Sequence, residues 1–273
     1  MALFTVFGNP VAHSLSPQIH SAFAAQHGLP VRYTPSLTSQ AQFRRAVSTF
    51  FFNGGAGANV TVPFKQQAFQ LVTHVTERAA QAEAVNTLIP LGFGQILGDN
   101  TDGIGLVTDL KDNLSQQLSQ RTIVLLGAGG AARGALFALL NQPVERIIIA
   151  NRSVERAQLL AQQCRDQRVT GCGFAELEIP QGSLLINATS ASLGQQKLAI
   201  AADQLGHASC AYDMMYGAQP TVFMRQVTVA GVRGVYDGLG MLVEQAAVAF
   251  KLWHDVAELD TKAVIAHLRE QLR

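Results

Sequence analysis

The segment Gly127-Ala128-Gly129-Gly130-Ala131-Ala132 could do phosphate chemistry because of where it stands. An apolar run, residues 123–126, precedes it, and a pattern with apolar residues at Ala135, Leu136, Leu139 and Leu140 comes after it. The order is strand, glycine turn, helix. In that setting Gly127 permits a tight turn, Gly129 lets the backbone approach a pyrophosphate, and small Ala132 lets the helix pack closely on the strand. The free N–H groups and positive dipole end of the helix then face the phosphates. A second apolar run, 146–150, completes a βαβ unit, and the residues just past its end select the nucleotide. An Asp or Glu about 20 residues beyond the glycines would accept hydrogen bonds from a ribose 2′-OH. Here the run ends Asn151-Arg152-Ser153, and no carboxylate appears before Glu155. Arg152 and Arg156, four apart at a helix start, can share one face and clamp a 2′-phosphate. The residues therefore predict NADP rather than NAD. The alternative is a glycine-rich turn of some other α/β protein, with both arginines simply solvated.

Small polar residues recur at other turns. Ser16 followed by Pro17 is a helix-start signature, with Ser at N-cap and Pro at N1. Capping does not account for Ser14, two residues earlier, so a pair of hydroxyls is offered to a polar ligand. His13 and His20 read as local structure rather than as ligands or bases. Over residues 57–65 Asn59 and Thr61 point one way and Val60 and Val62 the other, with the valines on the core face. Lys65 begins the next helix, and its position alone reads as a solvated lysine. Asn86 lies at a helix-to-strand junction. Gly98-Asp99-Asn100-Thr101-Asp102-Gly103 is a cluster that turn and capping chemistry explains, yet two neighbouring carboxylates at a domain junction also fit a functional role. Asn187-Ala188-Thr189-Ser190 and Tyr212-Asp213-Met214-Met215-Tyr216 follow strand ends, where ligands sit in open α/β sheets. Gln245 is polar among apolar neighbours and needs a partner.

The elements that must position these groups are legible as alternating short strands and helices. A strand at 3–7 precedes a helix from Ser16, with Ile19, Ala22 and Phe23 on its buried face and Gly28 as its stop. An amphipathic helix at 43–52, the strand ending at Pro63, a helix at 76–84 and a hairpin of 85–89 with 95–97 come next. A helix at 104–118 leads to the glycine segment. Runs at 183–186, 208–211 and 232–235 join 123–126 and 146–150 to give about six parallel strands. The strongly apolar 238–250 is a last helix, entered through two glycines.

With 273 residues, 48% hydrophobic and 14% charged, the chain can bury a sizeable core, and it reads as two domains. A formal net charge of +1 argues against a nucleic-acid partner, so a small-molecule substrate must be recognised by local groups. No apolar run reaches the roughly 18 residues of a membrane span, and the N-terminus has no basic leader. The expectation is a cytoplasmic protein with no membrane partner. Cys164, Cys172 and Cys210 are odd in number and lack ligand spacing, which predicts free thiols and no metal.

Taken together, HSLSP, GANVTVPFK, AVNT, GDNTDG, GAGGAA, NRS with Arg156, NATS, YDMMY and DGLGMLVEQAA occur in an order that closely resembles shikimate dehydrogenases of the aromatic amino-acid pathway. The resemblance runs over nearly the whole length. It implies an α/β fold: a Rossmann-like parallel-sheet NADP domain at 103–237, an α/β substrate-binding domain at 1–102 with 238–273, and an active site in the cleft between them. It implies Lys65 and Asp102 as the catalytic pair, Ser14, Ser16 and Tyr216 near a substrate carboxylate, and Asn59, Thr61, Asn86, Asp102 and Gln245 near ring hydroxyls. To the cofactor it assigns Glu77, Gly127, Ala128, Gly129, Gly130, Ala131, Asn151, Arg152, Ser153, Arg156, Thr189, Met214 and Gly238. The family often has Thr where Ser153 stands, which keeps the hydroxyl. The implied activity is the reversible, NADP-dependent reduction of 3-dehydroshikimate to shikimate in chorismate biosynthesis, by a monomer or homodimer. A broader quinate/shikimate dehydrogenase and a non-catalytic NADP-binding regulator are the other readings.

Overall fold

Short β-branched runs alternate with helical segments along the chain, and the computed structural model, which describes residues 1–189, 191 and 194–272, resolves them into two six-stranded sheets. The chain divides into two units. The first comprises Met1–Gly105 with Leu242–His267, and the second Leu106–Met241 with the chain from Leu268 onward.

The first unit contains β1 (Ala2–Gly8), α1 (Ser16–Gln26), β2 (Val31–Leu37), α2 (Phe43–Phe52), β3 (Gly55–Val60), α3 (Lys65–Leu71), β4 (His74–Val75), α4 (Glu77–Ala82), β5 (Thr87–Gly92) and β6 (Gln95–Asp99). Its sheet has the order β2-β1-β3-β5-β6-β4, with β3, β5 and β6 antiparallel in succession and the other neighbours parallel. Alternation along β1 sends Phe4 and Val6 to one face and Phe7 to the other. Phe7 joins Phe43, Val47, Ala58, Val60 and Phe64 in one apolar cluster, while Phe4 and Val6 pack with Val11, Tyr33 and Trp253.

Three expectations change here, and one strand is new. Ser16 is the first helical residue and Leu15 the N-cap, because Leu15 already has right-handed dihedrals and the Ser16 N–H is taken by the Ser14 hydroxyl at 3.3 Å. Val62 is 61% exposed rather than in the core. Pairing with β1 ends at Val60, and a turn closed by the Phe64 N–H on the Thr61 carbonyl rotates Val62 outward. β2 is an edge strand that the sequence does not announce: Pro35 sits in it, which an edge tolerates, and its burial is mostly slight. The α-helix expected at 104–118 stops at Thr108.

The second unit begins within α5 (Asp102–Thr108), which passes into a π-helical turn, Asp109–Asn113, and Ser115 at φ 52° lies beyond its end. It continues with β7 (Thr122–Leu126), α6 (Gly130–Leu140), β8 (Arg146–Asn151), α7 (Val154–Cys164), β9 (Val169–Gly173), β10 (Leu184–Asn187), α8 (Ala202–Leu205), β11 (Cys210–Asp213), α9 (Val222–Val229) and β12 (Gly234–Asp237). The sheet is parallel throughout, in the order β12-β11-β10-β7-β8-β9. β9, Val-Thr-Gly-Cys-Gly, is the sixth strand. It lies at an edge and carries only one large apolar residue, which hides it from a search for apolar runs. Ile123, Leu125, Ile147, Ile149, Leu184 and Ile186 fill one face, and Val124, Leu126, Leu185 and Ala211 the other.

Two helices complete the chain, α10 (Leu239–His254) and α11 (Thr261–Gln271). Both carry residues of each unit. Arg269, near the end of α11, makes a bidentate pair with Asp237 at the end of β12, both contacts 2.6 Å. Cys164, Cys172 and Cys210 are free thiols, and burial raises the pKa of each.

Candidate active site

Lys65 is the first residue of α3, where a cation opposes the positive end of the helix dipole, so helix formation alone gives no reason for it. Its Nζ instead donates to Asp102 Oδ2 at 2.6 Å. The lysine is held from behind as well: its carbonyl accepts the Val85 N–H at 2.9 Å, one residue before Asn86. The reading of Lys65 as a solvated surface cation therefore gives way to an ion pair whose carboxylate is largely buried.

Asp102 is fixed on three sides. Asn86 Nδ2 donates to its Oδ1 at 2.8 Å, its own N–H bonds to Asn100 Oδ1 at 3.1 Å, and Lys65 takes the remaining oxygen. Asn86 also accepts the Thr101 N–H at 2.9 Å and donates toward Gln245 Oε1 at 3.2 Å. This is the partner that Gln245 required, and its Nε2 in turn bonds the Leu242 carbonyl at 2.7 Å. The two carboxylates of GDNTDG thus have separate tasks. Asp99 is fully buried, accepts from Thr76 at 2.6 Å, binds Arg78 through both oxygens, and caps the Asn100 N–H at 2.7 Å. It holds the loop that leads into Asp102 at the start of the next helix. Arg78 and Asn100 were not singled out from the sequence; the Asp99/Asp102 pair was the available signal.

Of the residues expected near substrate, Ser14, Ser16, Asn59, Thr61, Asn86 and Gln245 all belong to the first unit with Lys65 and Asp102. Asn59 is buried on the face of β3 opposite Ala58 and Val60; its Nδ2 donates to the Asn86 carbonyl at 3.1 Å and to Thr87 Oγ1 at 3.3 Å. Ser14 and Ser16 hydroxyls are 3.1 Å apart. Thr61 bonds the Phe7 carbonyl through its N–H at 2.9 Å. Tyr216 lies in the second unit after β11, and burial, with Asp237 adding to it, raises its pKa.

In the second unit, Gly127 has φ +113°, a conformation that L side chains rarely adopt, and a Cβ there would meet the Ala188 backbone at 3.2 Å. Gly129 and Gly130 have nothing within 4 Å of an added Cβ, so the start of α6 is open to a ligand's close approach. Ala131 is exposed beside them, Ala128 is half-buried, and Ala132 is fully buried against the sheet. The strand order reverses direction between β7 and β10, which places the glycines and Thr189 at the switch point of the sheet. Thr189 is held there by Asn187 Oδ1, which accepts its hydroxyl at 2.7 Å and its N–H at 3.1 Å. Ser190 lies outside the described residues. Met214 bonds the Asn187 carbonyl through its N–H at 3.0 Å, and a side chain at Gly238 would collide with the Met214 carbonyl.

Arg152 lies in the bend before α7 and only Arg156 is helical, because Ser153 is the N-cap. The i, i+4 helix argument for the two arginines is corrected accordingly, and any convergence rests on the bend. Both are exposed and make no ion pair among the described residues, so two guanidinium groups are available beside the end of β8. Asn151 Nδ2 holds the bend through the Ser153 carbonyl at 3.0 Å, and Ser153 Oγ donates to Glu155 at 2.7 Å, lowering that carboxyl's pKa. An open glycine turn, a helix N-terminus and two unpaired arginines fit a phosphorylated dinucleotide. Glu77 is not among them: it is exposed in the first turn of α4, in the first unit, and accepts from Gln81 at 3.4 Å. No group of three or more His, Cys, Asp or Glu able to hold a metal occurs among the described residues, and none of their helices is long and apolar enough to cross a membrane.

Three family profiles match: the shikimate dehydrogenase substrate binding domain over residues 6–88, shikimate / quinate 5-dehydrogenase over 109–205, and the shikimate 5′-dehydrogenase C-terminal domain over 238–269. A protein of Idiomarina loihiensis named shikimate dehydrogenase (NADP(+)) is 46% identical over 271 residues, covering 97% of this chain and 96% of its own. The crystal structure of an Ael1 enzyme from Pseudomonas putida is 40% identical, covers 98% of each chain and superposes with a TM-score of 0.92. That of shikimate 5-dehydrogenase from Thermus thermophilus, in complex with NADP(H) and shikimate, is 30% identical with a TM-score of 0.86 and full coverage of both chains. With a part-buried Lys65–Asp102 pair in one unit and an open glycine turn in the other, the chain belongs to the shikimate dehydrogenase family.

Proposed function

We propose that the protein catalyses the reversible, NADP-dependent reduction of 3-dehydroshikimate to shikimate. The observation that carries this reading beyond family membership is the Lys65–Asp102 pair, at 2.6 Å and fixed from behind by Asn86 and Asn100. NADPH, when bound, supplies the hydride to the carbonyl carbon. As that carbon is reduced, negative charge develops on its oxygen, and a proton must arrive there. Lys65 has three N–H donors and gives one to Asp102, which leaves two for the substrate oxygen. Lys65 stabilises the developing charge and delivers the proton; Asp102 orients the ammonium. In the oxidative direction the same nitrogen takes the hydroxyl proton.

Residues 1–102 with 238–273 serve as the substrate-binding domain and 103–237 as the NADP domain. Ser14, Ser16 and Tyr216 receive the substrate carboxylate, and Asn59, Thr61, Asn86, Asp102 and Gln245 its hydroxyls. Gly127, Ala128, Gly129, Gly130 and Ala131 hold the pyrophosphate, Asn151, Arg152, Ser153 and Arg156 the 2′-phosphate end, and Thr189, Met214 and Gly238 the rest of the dinucleotide. Glu77 has the weakest support, since an ordinary helix-start carboxylate explains it. The protein works in the cytoplasm as a monomer or homodimer on a small-molecule substrate. A net charge of +1 supports the reading that it has no nucleic-acid partner.

Lys65→Ala tests the assignment. A general acid–base group contributes about 10²–10⁴-fold, so kcat for shikimate oxidation should fall by that order with a much smaller change in KM. A rise in KM alone, with kcat within a few-fold of the parent, would reduce Lys65 to a substrate contact. A parent protein inert toward shikimate and quinate with either nucleotide would be a regulator rather than an enzyme.

A further inference from the structure

Tyr33 lies on β2, the strand the sequence does not announce, and none of the site roles includes it. Its ring is almost wholly buried, and its hydroxyl donates to Asn59 Oδ1 at 2.7 Å. The Asn59 amide is thereby committed at both ends, because its Nδ2 already serves the Asn86 carbonyl and Thr87. A phenol that donates its one proton still has an acceptor oxygen, and the neighbouring Ser16 side chain favours its ionised form against the larger opposing effect of burial. Ser16 is in turn bonded to Ser14. The result is a run of polar groups from Tyr33 to Asn59 to Asn86, which continues through Asn86 to Asp102 and Lys65, with the Ser14–Ser16 pair beside its Tyr33 end. His20 stacks on the Tyr33 ring at 4.4 Å with planes 6° apart, which fixes where the hydroxyl points.

We propose that Tyr33 is a positioning residue for the substrate, one buried hydroxyl that orients Asn59 at the ring-hydroxyl end of the site. The proposal rests on the shikimate dehydrogenase activity, since it takes shikimate as the ligand. A substrate with ring hydroxyls at fixed positions is what an amide held at both ends recognises. Loss of the Tyr33–Asn59 bond frees the Asn59 amide oxygen while Lys65 and Asp102 keep their own partners.

Tyr33→Phe tests it, because the ring, and with it the stack on His20, is kept and only the hydroxyl is removed. The expected result is a weaker Kd and a higher KM for shikimate, by about five- to tenfold as for one neutral hydrogen bond. Meanwhile kcat and the KM for NADP stay within about twofold. In an Asn59→Ala background the same change should add little, because the two share one bond. Shikimate Kd within twofold of the parent in Tyr33→Phe, or equal losses for shikimate and NADP, would overturn the proposal. The two readings fail separately: a parent that binds shikimate without turning it over would sink the catalytic assignment while the Kd comparison still decides Tyr33. A parent that binds no shikimate would overturn both.

Discussion

His20 shows at residue scale how burial turns an ionisable group into a stability device. Burial lowers its pKa from 6.5 to about 3, the neighbouring Asn59 offsetting only part of this and His254 adding to it. The folded protein therefore refuses a proton that the unfolded chain accepts below pH 6.5. The contribution to stability is complete above pH 6.5 and is lost as pH falls from there toward 3, at about 1.4 kcal/mol per unit. Urea unfolding at pH 6.5 and pH 5 should thus show His20→Phe losing about 2 kcal/mol less than the parent over that interval. Tyr33, stacked on His20, and Trp253, tilted against it, do not titrate in that interval, whereas His254 on α10, whose pKa burial also lowers, contributes with the same sign. Equal slopes in parent and variant would mean that His20 is protonated in the folded state. The sequence classed His20 as structural, which fits its burial, but could not show that the ring props Tyr33, because their contact joins a helix to a strand with no apolar signature.

Elements were legible where packing imposes a period. β7, α6 and β8 follow from apolar runs that must be covered on both faces, and the glycine turn between them was readable down to the roles of Gly127 and Ala132. Edge strands were not: β2 and β9 bury too little to leave a pattern. The partners of Asn86 were hidden for another reason, since its contact with Gln245 spans 159 residues and only the fold brings them together. The glycine turn makes two opposed predictions. Gly127→Ala puts a side chain at φ +113° and against the Ala188 backbone, so the thermal midpoint should drop, with a cost of about 1–3 kcal/mol. Gly129→Ala meets nothing within 4 Å and should melt with the parent, while KM for NADP rises roughly tenfold because its methyl occupies the pyrophosphate's approach. An unchanged NADP KM in Gly129→Ala would move the phosphate away from this turn.

At the scale of the whole chain, Lys65, Asp102, Asn59, Asn86 and Gln245 belong to one unit and the glycine turn, Arg152 and Arg156 to the other, each unit with its own sheet and apolar clusters, while α5, α10 and α11 carry residues of both. A ligand that binds only the folded state stabilises by RT ln(1 + [L]/Kd), about 2.7 kcal/mol at one hundred times Kd. Each ligand should deliver that increment first to the unit that holds it. Hydrogen exchange would read this directly. NADP alone should slow exchange in the first turn of α6 and around Ser153, and shikimate alone in β3, at the start of α3 and around Asn86. Replacing both Arg152 and Arg156 with Ala should abolish most of the NADP increment, since charge-assisted hydrogen bonds are worth about 1.5–3 kcal/mol each, and should leave the shikimate increment and the NAD affinity almost unchanged. If the double variant still preferred NADP over NAD, the two exposed arginines would not be the 2′-phosphate clamp. Retained preference would send the search for that clamp to another part of the second unit, with the glycine turn still serving the pyrophosphate.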